Sequence, residues 1–114
     1  MAHYTAAKHW VLGLMKVLAN ELGEYSIRVN AVIPGTIPTP MVLNEAVYKL
    51  FSPGVENPTV EAADEGLRAM NLLPIPWLEE IDISNAIVWP SSDEARYVTG
   101  VALPVDAGWV TKAF

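Results

Sequence analysis

The chain has 114 residues, 52% of them hydrophobic and 18% charged, with a formal net charge of −6 and no cysteine. That bounds it to one domain at most, with enough apolar content for a core and too little charge for disorder. It leaves no basic footprint for nucleic acid or an anionic membrane surface, no disulfide or thiolate chemistry, and no apolar run of bilayer-spanning length. The opening M-A-H-Y-T-A-A-K-H-W has no signal-peptide pattern. A soluble cytoplasmic protein is the expectation, and no internal repeat interrupts the chain.

The first predicted element is a helix over residues 4–22. Tyr4, Ala7, Val11, Leu14, Met15, Leu18 and Leu22 follow the i, i+3, i+4 spacing of a core-facing stripe. Trp10, Leu12 and Val17 add apolar surface outside it, so the helix is expected to lie between two layers, or against a second subunit. Gly23 suits the residue that stops it. At its head, Tyr4 and Lys8 form a Y-x-x-x-K pattern. Four residues of helix turn about 400° and rise about 6 Å, so both side chains leave one face. An ammonium beside a phenol favours the phenolate, which suits the pair to move a proton to or from an alcohol or carbonyl oxygen. The same spacing also occurs on ordinary helices, so the pair needs support from elsewhere in the chain.

Residues 27–32, I-R-V-N-A-V, read as a short strand buried in a parallel sheet. Residues 34–40 read as a loop, broken by Pro34, Gly35, Pro38 and Pro40. Thr39-Pro40 then suggests an N-cap and first turn of a helix reaching Phe51. After the turn at Ser52-Pro53-Gly54, Asn57-Pro58-Thr59 opens another helix to about Asn71, with Val60, Ala63, Leu67 and Met70 inward. With no strand between them, these two helices look like an excursion over a substrate cleft. The connector L-L-P-I-P-W, residues 72–77, is apolar enough to be partly buried. A helix begins near Glu79-Glu80 and should end or kink at Pro90. One helical turn is expected in S-S-D-E-A-R. A second strand covers residues 101–106, near a sheet edge because Pro104 cannot donate to a ladder. Two strands and about four helices leave more apolar helix face than sheet to pack it on.

The motif N-A-V-I-P-G-T-I-P-T, residues 30–39, lies at the carboxyl end of the first strand. Together with Y-T-A-A-K, residues 4–8, and D-E-A-R-Y-V-T-G-V-A-L-P-V-D-A-G, residues 93–108, it resembles the short-chain dehydrogenase/reductase family in order and spacing over nearly all of the chain. The segments A-A-K-H, L-A-N-E-L, M-N-L-L-P-I-P-W and L-P-V-D-A-G look like the branch of mycofactocin-coupled and carveol-type dehydrogenases. The resemblance implies an α/β fold, the C-terminal portion of a Rossmann-type doubly wound parallel sheet. It implies hydride transfer between a nicotinamide cofactor and an alcohol or ketone, in a dimer or tetramer. Tyr4 would be the general acid/base and Lys8 its partner and a ribose ligand. Pro34 and Gly35 would let the backbone pass the nicotinamide, Ile37 would meet its carboxamide, and Thr39 would bond the carboxamide or diphosphate. Residues 41–77 would form the substrate lid. Glycine in a loop at the carboxyl end of a strand fits such a role on physical grounds. An ordinary post-strand turn, with Thr39 as an N-cap alone, is the plainer reading.

The seven glycines are scattered, and no glycine-rich phosphate turn is present. Only Met1, Ala2 and His3 precede Tyr4, which leaves no place for the family's upstream catalytic serine. The expectation is therefore a single incomplete domain, residues 1–114, with the N-terminal nucleotide-binding half absent and the isolated chain inactive. The alternative is a non-catalytic remnant that only binds or oligomerises. The branch favours NAD and leaves NADP open. His3 and His9 lie on different helix faces, and no metal site is expected. Glu79, Glu80 and Asp82 read as a helix N-terminal cluster. Trp10, Trp77, Trp89 and Trp109 read as core or interface residues.

Overall fold

The computed structural model describes residues 2–112, which form four α-helices and two strands in the order α1 (Ala2–Leu22), β1 (Ala31–Pro34), α2 (Glu45–Phe51), α3 (Val60–Met70), α4 (Glu80–Ser91) and β2 (Ala102–Val105). Single 3-10 turns lie at Gly23–Tyr25, Asp93–Ala95 and Trp109–Thr111. The chain divides into two compact units, residues 2–33 with 84–103 and residues 34–83 with 104–112. Among the described residues no helix is long and apolar enough to cross a membrane.

In the first unit, α1 ends at Leu22 as its pattern predicts, but Gly23 is not the left-handed residue. The chain first tightens into the 3-10 turn, and Ser26 takes the left-handed conformation at φ 59°, donating its N–H to Gly23 O. The predicted core stripe of α1 is only partly filled. Met15 is buried and Leu18 and Leu22 half-buried, while Tyr4, Ala7, Val11 and Leu14 are exposed. The reason is length. A helix of 21 residues runs about 31 Å, whereas a four-residue strand covers about 13 Å.

The two strands form a parallel two-stranded sheet. The first was expected over 27–32 and the second over 101–106; both are shorter, and β1 begins later. Before β1 starts, side chains join the pairing beside one backbone bond, from Gly100 N–H to Val29 O at 2.7 Å. Val29 N–H donates to Thr99 Oγ1 at 3.1 Å, and the Asn30 amide donates to Val98 O at 2.9 Å while accepting from Val101 N at 3.1 Å. The ladder then runs from Ala31 N–H on Val101 O (2.9 Å) to Gly35 N–H on Val105 O (2.8 Å). Pro90 sits in the last turn of α4, one residue before its end. At the helix C-terminus the guanidinium of Arg28 donates to two carbonyls, Pro90 O and, at 3.1 Å, Ser92 O.

In the second unit the Thr39-Pro40 pair does not start a helix. Thr39 O accepts from Val42 N and Leu43 N in a turn, and α2 starts at Glu45 behind Asn44, whose side chain accepts from Val47 N. Asn44, in extended backbone, supplies the side-chain cap that α2 uses. Helix α3 matches its prediction closely, with Ala63 and Leu67 fully buried, although Val60 and Met70 are not. It packs tightly on the end of α2, because a Cβ on Gly66 would collide with the carbonyl of Phe51.

The connector over 72–77 is partly buried, as expected: Pro76 and Trp77 are half-buried. Leu72, Leu73 and Ile75 are exposed. The connector's backbone is held by hydrogen bonds, from Arg68 to Pro74 O (2.7 Å) and from Asn71 to Ile75 O (2.7 Å). Full burial begins one residue past the connector, at Leu78.

Candidate active site

The first candidate cluster lies in the first unit, on the opening turns of α1. The Y-x-x-x-K spacing does what helix geometry requires. The Lys8 ammonium lies over the Tyr4 ring, 5.4 Å from its centroid, within the range of a cation–π attraction. Tyr4 is 56% exposed, so its hydroxyl is open to a reacting partner. His9 on the next turn is occupied locally, its Nδ1 paired with Thr5 O at 2.9 Å.

The second cluster is the loop of the second unit. Pro34 closes β1, and Gly35 donates its N–H to Val105 O. A Cβ on Gly35 would lie 2.8 Å from Asp106 Cα and 3.0 Å from Leu78 Cδ1. Glycine is therefore required here by the chain's own packing, independently of any ligand. Beyond it, Thr39 N–H donates to Ile37 O at 2.8 Å, which curls the loop back on itself. Among the described residues, neither the Ile37 N–H nor the Thr39 hydroxyl has a hydrogen-bond partner within the chain. One fixed donor and one rotatable donor–acceptor lie two residues apart. That set suits a planar carboxamide or a phosphate oxygen, so the residues present fit the reactive end of a nicotinamide dinucleotide.

Three supports of this loop escape the linear pattern. Leu78 donates its N–H to Thr36 O at 3.0 Å and is itself buried. Trp77 donates its indole N–H to Asp64 across 13 residues, fastening the connector to α3. No local signal in the sequence marks either contact. Asp106, the third, is buried and spends both carboxylate oxygens on backbone N–H groups, Gly108 at 2.9 Å and Val110 at 3.0 Å. An Asp two residues ahead of a Gly is a recognised turn signal and could have been read as one. A cavity of about 470 Å³ opens in the second unit beside Leu78, Asp82 and Asp106, and another of about 670 Å³ in the first beside Arg28, Asn30 and Pro90. Neither is lined by Tyr4, Lys8, Ile37 or Thr39, so cavity size does not mark the candidate residues.

Comparison with known proteins places these features in a family. The family profile described as enoyl-(acyl carrier protein) reductase matches residues 1–110. A (−)-trans-carveol dehydrogenase of Rhodococcus erythropolis is 50% identical over 112 residues, which cover 98% of this chain and 40% of that protein. A short-chain type dehydrogenase/reductase of Mycolicibacterium smegmatis is 51% identical over 110 residues, covering 96% and 39%. Among solved structures, carveol dehydrogenase from Mycobacterium avium in complex with NAD superposes with a TM-score of 0.92 at 51% identity, covering 97% of this chain and 40% of that one. The chain thus spans about two fifths of the length of the relatives it matches, and corresponds to the C-terminal portion of their Rossmann-type fold. With a profile matched along almost its whole length and half its positions shared with such relatives, the chain belongs to the short-chain dehydrogenase/reductase family.

Proposed function

We propose that this chain supplies the proton-transfer residues and the nicotinamide-facing loop of an NAD-dependent oxidoreductase that interconverts a small-molecule alcohol and its ketone. The observation that carries this reading is the pairing of an exposed Tyr4 with the Lys8 ammonium one helical turn away. Membership of the family supports it, and the NAD held by the Mycobacterium avium relative favours NAD over NADP.

The nicotinamide, when bound, supplies or accepts the hydride. The chain's own residues handle the proton and the orientation. In reduction the Tyr4 hydroxyl gives its proton to the developing alkoxide oxygen; in oxidation the Tyr4 oxygen takes it from the alcohol. The Lys8 ammonium stabilises negative charge on that phenol oxygen and donates to ribose hydroxyls. The Ile37 N–H and the Thr39 hydroxyl orient the carboxamide, and Pro34-Gly35 carry the loop backbone into place. Helices α2 and α3, with the connector after them, act as the substrate lid.

The test joins residues 1–114 to the N-terminal portion of the Rhodococcus erythropolis enzyme that this chain does not match. The chimera is expected to oxidise a secondary alcohol with NAD. Tyr4→Phe should lower kcat by roughly 100- to 10,000-fold and leave NAD affinity within about threefold. Lys8→Met should damage both, since it serves both. Near-normal hydride transfer in Tyr4→Phe, measured in a single turnover, removes the proposed role.

A further inference from the structure

The segment after β2 makes contacts that neither the catalytic reading nor the family match assigns. Asp106 turns the chain by capping Gly108 and Val110. Inside that turn, Ala107 and Gly108 are both left-handed, at φ 54° and 81°. Alanine adopts that conformation at a cost, and here it aims one carbonyl outward. Ala107 O accepts two consecutive N–H groups, from Leu72 at 2.9 Å and Leu73 at 3.0 Å, at the exit of α3. The fit is close, since a Cβ on Gly108 would lie 2.7 Å from Leu72 Cβ. One turn further on, Trp109 meets Phe51 of α2 edge to face, with ring centroids 5.9 Å apart. The half-buried Lys112 then donates its ammonium to two carbonyls at the end of α3, Ala69 O and, at 3.0 Å, Asn71 O. These are carbonyls the helix itself leaves unsatisfied, at the end where its dipole favours a cation.

From this arrangement we infer that residues 106–112 are a clamp that sets the position of α3, with Lys112 as the positioning residue and Trp109 as a buttress against α2. Four contacts converge on one end of one helix, and they come from a segment that is distant in sequence. The clamp rests on the proposed function in one respect: if α2 and α3 form the substrate lid, Lys112 tunes substrate binding without touching substrate.

Hydrogen exchange on the 114-residue chain tests the clamp without any activity. In Lys112→Met, exchange at Asn71, Leu72 and Leu73 is expected to accelerate by about tenfold, as fits the loss of charge-assisted bonds, with β1 and β2 unchanged. Lys112→Arg should restore protection, because a guanidinium can reach the same two carbonyls. Unchanged exchange in Lys112→Met overturns the clamp, and so does acceleration of the same size in both units, which marks loss of fold. In the chimera, Lys112→Met should raise KM for the alcohol severalfold at constant kcat, and Lys112→Arg should reverse it. A chimera that turns over normally with unchanged KM removes the link to substrate. A chimera without any activity counts against the proposed function, while the exchange result still decides the clamp.

Discussion

Gly35 is fixed by the chain's own packing, whatever the loop meets. Loop glycines before a nicotinamide are usually explained by the ring that passes them. Here the missing Cβ faces Asp106 and Leu78, so a substitution should be felt without cofactor. Gly35→Ala is expected to destabilise the chain by about 1–3 kcal/mol, since the nearest obstacle is backbone and cannot swing aside. Urea denaturation followed by tryptophan fluorescence measures this, and a midpoint equal to that of the parent would show that the loop relaxes freely. The Tyr4–Lys8 pair is the opposite case. Both side chains are placed by the periodicity of α1 alone, and their value depends entirely on what reaches Tyr4.

At the scale of elements, Gly66 in α3 sets two effects of known size against each other. Helix propensity favours alanine over glycine in a helix interior by about 1 kcal/mol. Against that, a Cβ there collides with the carbonyl of Phe51 at the end of α2, and overpacking against backbone costs about 1–3 kcal/mol. Contact should win, so Gly66→Ala should lower the thermal midpoint even though it improves the helix. A raised midpoint would mean that α2 and α3 slide apart without loss. The boundary between the Thr39 turn and α2 carries a similar lesson. Thr39-Pro40 and Asn44-Glu45 are both good helix starts by composition. The second is the one used: the Asn44 side chain accepts from Val47 N, whereas the two N–H groups that Thr39 O accepts close a single turn that goes no further.

For the whole molecule, the reading makes two predictions. The chain alone is expected to bind NAD and NADP weakly or not at all, and to turn over no alcohol. Ile37, Thr39 and Lys8 offer a few hydrogen bonds at about 1 kcal/mol each, short of the several kcal/mol lost on immobilising a dinucleotide. The diphosphate end of such a ligand normally relies on a glycine-rich helix start, and the chain's seven glycines form no such motif. Calorimetric titration decides this, and a micromolar dissociation constant for either cofactor would mean that these residues hold a complete site. Second, α1 should belong to a subunit or domain interface. Trp10 is 67% and Val17 52% exposed, a concentration of apolar surface unusual for a free monomer. Sedimentation equilibrium of the chimera should therefore give the mass of a homodimer or tetramer. A stable monomer at tens of micromolar would contradict it.

Local chemistry was enough to determine much of this protein from its sequence. Helical periodicity placed Tyr4 and Lys8 on one face. Gly23 and the turn at Ser52-Pro53-Gly54 marked where α1 and α2 end, and the order of three motifs pointed to the family. Tertiary structure decided what depends on partners far along the chain. It started β1 at Ala31, because the Thr99 and Asn30 side chains take the N–H groups of Val29 and Val101 just before it. It divided the 72–77 connector, leaving Leu72, Leu73 and Ile75 exposed and Pro76 and Trp77 half-buried. It brought Trp77 to Asp64 and Lys112 to the end of α3. The division follows from range. A capping residue or a 3.6-residue period acts within a turn or two and can be read locally, whereas a carbonyl bonded by a lysine 43 residues away is identified only once the chain has folded.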